Sequence, residues 1–478
     1  MATMQRARPS WWGNPFHIAY TIVVFVILAS LDNAALAMIP SMALSVADTL
    51  DSSTGAIGVM TGTTILVAAV TAIGWGYAGD SRTRKPLLFW GTVIWAGGSL
   101  LSATATSIWW LFLWQVVVAV GLGSIASVGF SVISDFVGPK RRGLAMSFWG
   151  ISQGIGTLAG GLLASQLGAE NFRTPLVVIA AAGFLFALLY LTTYEAPRGF
   201  REPELAALYE AGGDYDYRIN RAQIPELMNR RTNLWLILQG LTAQVAYGSL
   251  IWIPLLYQQK VIAEGYGEVT GTRVGGLFAA LFTIGALFSI LFGHLGDRLQ
   301  RRTPRGRALL SAVGILGAVP IFLVFFWVPL RGLDVTEGAG TLTLLREVLI
   351  SVATNPWATL AFVSAIVAIA LTSADSPNWF ALISDVNLPE HRGTVFGLGN
   401  AVNGVGRSFG AALTASAASA IERSIPPPFN WAIGLSLFQI FFLPTGWCYW
   451  KASQTAPDDI AAVSATLTER SEAYVDDT

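Results

Sequence analysis

The chain has 478 residues, 53% of them hydrophobic and only 12% charged, with 17 Trp and a mean hydropathy of +0.56. So few charges could not cover a soluble domain of this length, which excludes that class. The formal net charge is zero, so no nucleic-acid or other polyanionic partner is expected, and the single Cys448 excludes an intramolecular disulfide or a thiolate metal site.

The apolar runs are about 20 to 28 residues long, enough for a hydrocarbon core ~30 Å thick. Twelve helices are predicted, near 18–45, 55–78, 87–106, 108–136, 143–166, 174–194, 232–258, 273–295, 308–330, 357–384, 394–420 and 429–451. The expected fold is all-α and membrane-embedded, as two pseudo-symmetric six-helix bundles. A short tail, 1–17, precedes the first bundle, 18–194. The first run, near His17 to Val46, is too long for a secretory h-region and carries Asp32 at its middle. A polar linker, 195–231, follows, with Glu204–Glu210 and Ile224–Met228 able to form short amphipathic helices; its blander reading is a tether between bundles. The second bundle, 232–451, contains an extended outward loop, 331–356. Within it Leu342–Val352 has helical apolar spacing and is expected to lie on the outer membrane surface. The tail 452–478 is polar, acidic and expected to be mobile.

Lysine and arginine set the orientation. Arg173, Lys260, Arg273, Arg331, Arg346 and Arg423 fall in loops of one side and Arg407 lies inside a span; the other 22 of the 29 fall on the opposite side. That bias puts both termini and the middle linker in the cytoplasm of a multi-pass protein of the cell membrane.

The chain also repeats itself. Ile133-Ser134-Asp135, Pro139, Arg142 and Gly143 return in register as Ile383-Ser384-Asp385, Pro389, Arg392 and Gly393. Gly154, Gly156 and Gly160 match Gly404, Gly406 and Gly410, while Gly76, Gly79, Asp80 and Arg84 to Lys85 are echoed by Gly293, Gly296, Asp297 and Arg301 to Arg302. Two related halves around a central site is how alternating-access carriers are built.

The run Gly76-Tyr-Ala-Gly-Asp80-x-Arg82-x-Arg84-Lys85, its weaker copy, the twelve helices and the 6+6 repeat resemble the major facilitator superfamily over nearly the whole chain. Shorter phrases are similar to its spinster-like branch: Glu195-Ala-Pro-Arg-Gly199, Ile251-Trp252-Ile-Pro254, Asn378-Trp379 and the helix 1 acid Asp32. That branch has Arg after the acid, where Asn33 stands, and Arg and Glu in helix 4, where Gln115 and Leu122 stand. These departures touch the coupling mechanism rather than the fold. The resemblance implies that helices 1, 4, 7 and 10 line a central cavity. It also implies a gating role for Gly76, Asp80, Arg84, Arg142, Asp297 and Arg392, with Arg142 placed to pair with Asp80 and Arg392 with Asp297.

Three charges lie deep in the predicted spans: Asp32, Asp375 and Arg407. A charge at mid-bilayer costs ~2.5 kcal/mol or more, so each needs a partner or a wet cavity. One reading makes Asp32 a protonatable coupling group and Arg407 an anchor for an anionic substrate group. The bland alternative is an Asp375–Arg407 ion pair that fixes packing. None of the three has a charged twin in the other half; at the loop-derived offset Asp32 maps to Ser249. Thr64, Gln115, Gln153, Gln239, Gln244, Tyr247, Ser373, Asn378, Asn400 and Asn403 share these helices, and each could instead hydrogen-bond between helices. Trp252, Trp379 and Phe380 are expected to give the cavity an aromatic lining.

No phosphate-binding loop, nucleophile elbow or HExxH occurs, and His17, His294 and His391 lack metal spacing. An enzyme, a cofactor and a metal are therefore not expected. The sequence points to a secondary transporter, expected as a monomer, for an amphipathic or lipid-like anionic substrate. A small-solute or drug transporter of the same superfamily is the alternative, and a non-transporting receptor or scaffold a more distant one.

Overall fold

Long apolar runs broken by short polar connectors leave helices as the structure that satisfies every backbone group within lipid. Among the described residues of the computed structural model, which are 15–81, 84–125, 128, 139–193, 230–387 and 392–476, there is no strand. The first half comprises α1 (Pro15–Ser41), α2 (Ala43–Thr49), α3 (Thr54–Ser81), α4 (Arg84–Ser102), α5 (Ile108–Ser124), α6 (Pro139–Leu167) and α7 (Arg173–Leu191). The second comprises α8 (Arg231–Ser249), α9 (Ile253–Ala263), α10 (Glu268–Phe282), α11 (Phe288–Gln300), α12 (Gly306–Trp327), α13 (Thr341–Thr354), α14 (Pro356–Thr372), α15 (Asp375–Asp385), α16 (Arg392–Ile421), α17 (Phe429–Gln439) and α18 (Phe442–Asp476). The linker helices expected near Glu204 and Ile224, and the repeat residues Asp135 and Pro389, lie outside the described residues.

Among the described residues, eight stretches are long and apolar enough to cross a membrane: 23–41, 54–79, 173–191, 231–263, 268–300, 306–327, 356–385 and 429–466. Four of them run through two successive helices, for example α8 and α9 across the 3-10 turn Leu250–Trp252, where Pro254 starts the next helix. The shorter apolar α5 and the glycine-rich α6 and α16 fill other predicted span positions. Their glycines lower the apolar content and let backbones approach closely.

Those approaches follow the repeat. Gly156 of α6 lies against the Ser30 backbone of α1 and Gly160 against Ala34; in the second half Gly406 of α16 lies against Leu241 of α8 and Gly410 against Val245. The packing therefore relates α1 to α8 by 211 residues, not the 217 suggested by the loop motif. Asp32 then corresponds to Ala243 rather than Ser249. The difference arises because packing register is set by the small residues at the seam, whereas the motif sits in a connecting loop. Asp32 remains without a charged twin.

Between halves, the contacts concentrate at one end of the bundle, the end that carries Ser41, Gln166 and Gln258. There Gln258 donates to the Ser41 carbonyl at 2.7 Å, Gln166 Nε2 to the Arg273 carbonyl at 2.9 Å, and Arg273 pairs with Glu170 at 2.7 Å. The segment from Val328 to Asn355 caps this end. Gly332 N–H donates to Glu264, Tyr266 donates to the Leu333 carbonyl, and Glu337 accepts from Gly267 and Thr270. Thr341, the first residue of α13, donates to Gln166 Oε1 at 3.0 Å and so ties the cap to the first half. Helix α13 buries Leu344, Val348 and Ser351 on the protein and exposes Leu342, Leu349 and Ile350. Thr336 donates twice to Glu347, and these two bonds, the backbone one first, hold its carboxyl below the usual glutamate range.

In the C-terminal tail, helix α18 runs to Asp476, and partway along it Asp459 accepts from the Thr232 N–H at the start of α8 while Thr455 bonds the Thr232 hydroxyl. A carboxylate at a helix N-terminus meets unpaired N–H groups and the positive end of the dipole.

Candidate functional site

The three intramembrane charges occupy different surroundings. Helix α16 meets α3 along Gly404, Ser408, Ala412 and Ala415, and meets α8 along Gly406 and Gly410. With about 100° per residue, Arg407 falls between these faces beside Asn400 and Asn403, and roughly opposite the exposed Phe409 and Leu413. That register turns Arg407 toward the interior between the halves. Arg407 is exposed, and among the described residues it has no ion-pair or hydrogen-bond partner. Its backbone lies against Gly248 of α8. Asn403, one turn earlier, is half-buried against Gly240, and with its amide nitrogen turned that way it donates to the Gly399 and Gly240 carbonyls.

Asp375 is not Arg407's partner. It begins α15, just after the break at Ser373–Ala374, and is buried. Tyr449 of α18 donates to its Oδ1, as does Gln239 of α8 at 3.1 Å. Tyr247 stands alongside and gives its hydroxyl to the Thr372 carbonyl. In place of the alternative Asp375–Arg407 pair stands a hydroxyl and amide cage, helped by the positive dipole at the start of α15. Gln239 was visible as a polar residue among apolar ones; Tyr449 carried no signal in the last apolar run.

Asp32 lies inside the first bundle rather than on the wall between the bundles. The α1 face carrying Ser30 and Ala34 packs on α6, and Asp32 lies roughly opposite it with Leu28, Leu36 and Ile39. It is 3% exposed, and neither carboxylate oxygen has a hydrogen-bond partner. The fully buried Trp95, held between Gly121 and Gly183, stands beside it, and its indole N–H is also unpaired. Gln115 is buried and donates to Ser102 Oγ at 3.1 Å.

Other expected cavity residues serve packing. Trp252 is fully buried, donates to the Ala411 carbonyl at 2.8 Å and packs on Trp431. Trp379 donates to the Leu236 carbonyl at 3.2 Å, and Asn378 donates to Ala374 while its amide oxygen lies over Gly296. These side chains are large or polar enough to read as lining, but their donors are consumed by neighbouring helix carbonyls. Phe380 stays 43% exposed. A charge overlooked as such is Lys260, counted above as a loop residue. It is buried within α9, donates to the Phe325 and Val328 carbonyls at 3.3 and 2.7 Å, and lies over the Tyr257 ring. There it binds carbonyls at the C-terminal end of α12.

Of the gating residues, Gly76 is half-buried in α3 and Arg84 is buried at the start of α4. The side chains of Asp80, Arg142 and Arg392 lie outside the described residues. Asp297 pairs with Arg307 at 2.7 Å, and Arg307 also pairs with Asp385. Arg307, at the start of α12, thus draws Asp297 and Asp385 together. Among the described residues no group of His, Cys, Asp and Glu could hold a metal ion.

A profile of the Major Facilitator Superfamily matches residues 22–411, and the chain belongs to that superfamily as a multi-pass protein of the cell membrane. Its similarity within the superfamily runs to spinster proteins. It is 26% identical over 292 residues to the zebrafish sphingosine-1-phosphate transporter SPNS2, covering 58% of this chain and 55% of the relative. It is 29% identical over 293 residues to human protein spinster homolog 1, covering 57% and 53%. The chain thus spans about half the length of these curated relatives. The fold matches a crystal structure of a bacterial homolog of the human lysosomal transporter Spinster, described as inward-facing and occupied. The TM-score is 0.71 at 20% identity, covering 94% of this chain and 99% of that one.

Proposed function

We propose that this chain is a secondary active transporter with twelve spans and cytoplasmic termini, and that it moves an anionic, single-chain lipid-like substrate by alternating access. Asp32 is its proton-coupling group and Arg407 its headgroup anchor. By the lysine and arginine bias, the capped end faces outward. The contacts at that end, and the space that a Cβ on Gly397 or Gly154 would find among the described residues, support an inward-open reading.

One observation carries the substrate reading. Midway along, Ala69 of α3 lies against Gly404 of α16. The equivalent pair on the opposite side is Ala286, in the turn between α10 and α11, and Gly154 of α6. Both are exposed, and among the described residues no atom lies within 4 Å of where a Cβ on Gly154 would stand. Nearer the cap the two sides behave alike: Gly58 lies against Ala415, and Gly276 against Ser165. One lateral seam thus opens toward lipid where its twin stays closed, flanked by the exposed Ile155, Leu287, Ile290 and Leu291. An acyl chain can remain in the bilayer through such a gap while its anionic head reaches Arg407, whose fork suits a phosphate or carboxylate. The zebrafish relative named for sphingosine-1-phosphate transport agrees with this chemistry.

The test is uptake by proteoliposomes of sphingosine-1-phosphate, of a lysophospholipid and of glycerol phosphate. Uptake of a single-chain lipid, and not of glycerol phosphate, is expected. Arg407→Ala should raise KM by roughly tenfold or more, the worth of a charged hydrogen bond, with Arg407→Lys recovering part of it. Preference for glycerol phosphate would overturn the lipid reading.

A further inference from the structure

The corner where α11 turns into α12 carries five arginines within ten residues: Arg298, Arg301, Arg302, Arg305 and Arg307. Two acids answer them, Asp297 and, from α15, Asp385, and both pair with Arg307. The side chains of Arg298, Arg301, Arg302 and Arg305 are exposed, and among the described residues they make no ion pair or hydrogen bond. Asp297, Gln300, Arg301 and Arg307 line an open cleft of about 320 Å³ at this corner.

The turn is built by its own hydrogen bonds. Gln300 donates to the Pro304 carbonyl at 3.2 Å and accepts from the Arg307 N–H at 3.1 Å, while the Gly306 N–H donates to the Thr303 carbonyl at 2.9 Å. A Cβ on Gly306 would stand 2.4 Å from the Leu299 carbonyl carbon, so glycine is what lets the chain fold back this closely. Arginines held on such a frame lose less freedom on taking a ligand. Arg307 also keeps a buried Nε without a partner, so this wall of the cleft is short of an acceptor.

The stretches 268–300 and 306–327 are apolar enough to cross a membrane, which sets the turn between them at the level of lipid headgroups. Helix α11 exposes Leu291 and Leu295 on the way to the turn, and α12, packed on it, exposes Leu309, Val313 and Leu316 on the way back. We propose that the cleft binds the headgroup of an anionic phospholipid. The phosphate lies against Arg301, with Arg298, Arg302 and Arg305 around it, because a guanidinium grips phosphate through paired N–H donors. The acyl chains lie on the exposed apolar residues of α11 and α12. Asp297 on the wall accepts from hydroxyls beyond the phosphate, which favours a glycerol headgroup over a bare phosphate. By the orientation proposed above, the lipid belongs to the cytoplasmic leaflet, whose surface is anionic. The site itself rests neither on that orientation nor on the transport reading, since its lining includes neither Arg407 nor a residue of the lateral seam.

Native mass spectrometry of the full-length protein in micelles counts retained lipid without reference to a leaflet. The wild type should retain phosphatidylglycerol over phosphatidylcholine of the same chains by roughly tenfold. Arg301→Gln combined with Arg302→Gln should remove that preference, each arginine beside an anionic headgroup being worth roughly fivefold. Arg301→Lys should keep part of it, and Arg407→Ala and Arg423→Gln should keep all of it. The substituted arginines make no polar contact, so the double variant should match the wild-type Tm in phosphatidylcholine, and phosphatidylglycerol should raise Tm in the wild type only. Equal retention of the two lipids by the wild type, or a preference that survives in the double variant, overturns the proposal. Loss of the preference in Arg407→Ala also overturns it, by putting the lipid in the substrate site. Displacement of the lipid by excess inorganic phosphate does so too, by making the cleft a site for free anions.

Discussion

Asp375 and Asp32 are carboxylates buried in apolar helices, and their surroundings differ. Asp375 receives hydrogen bonds from Tyr449 and Gln239 and starts a helix, so its position is satisfied by the fold. Removing one donor from such a cage leaves a buried acceptor short. Tyr449→Phe should therefore lower stability by roughly 1–3 kcal/mol, read as a drop in Tm, and should leave any pH dependence of transport in place. Asp32 has no such cage. Asp32→Asn should abolish the pH dependence of uptake in proteoliposomes, and a variant that still responds to a proton gradient would remove Asp32 from the coupling step. The sequence exposed both acids because charges are rare in these spans. It could not tell them apart, since the difference lies in Tyr449 and Trp95, neutral aromatics remote in the chain. Trp252 and Trp379 misled for the converse reason: an aromatic side chain in a span looks like lining until a backbone carbonyl on another helix takes its N–H.

Among the elements, the glycine rows of α6 and α16 were readable as packing surfaces, and their partners follow the repeat. The register of α1 against α8 was not readable, because the loop motif and the packed seam differ in offset. The cap shows the same division. Its helix α13 was legible from apolar spacing, whereas its fastening through Glu264, Tyr266, Glu337 and Glu347 depends on side chains meeting across loops. The Glu347 clasp has a pH signature. Because Thr336 holds this carboxyl below its unfolded value, the clasp contributes stability above the ordinary glutamate range and loses it as pH falls through the lowered value. Glu347→Gln should flatten that acid limb in a Tm-against-pH series, and an unaltered limb would show that the clasp carries none of it. The link from the cap to the first half also makes a prediction. Arg273→Ala with Gln166→Ala removes the two-way contact between α6 and α10, at a cost of about 1–2 kcal/mol to the sealed state. About 1.4 kcal/mol is tenfold in an equilibrium, so accessibility of the cap end to a polar thiol reagent should rise by roughly that factor.

At the scale of the molecule, two helical halves that share packing rules also differ in one seam. Ala69 meets Gly404 while Ala286 and Gly154 stand apart, and in the proposed reading this asymmetry is the substrate's side entrance. Closure at the cap and opening at the far end are alternatives for one pair of rigid bodies, and a substrate can shift them only by binding one arrangement better. Rocking of the halves is therefore the central claim, and distances across the cap test it most directly. With the buried Cys448 replaced, spin labels at the exposed Asn171 and Glu268 report that gap by electron–electron resonance in lipid. The account predicts one short distance without substrate and a second, longer population when sphingosine-1-phosphate and a proton gradient are supplied, enlarged further by Arg273→Ala. A single unchanged distance under every condition, in both proteins, would contradict it.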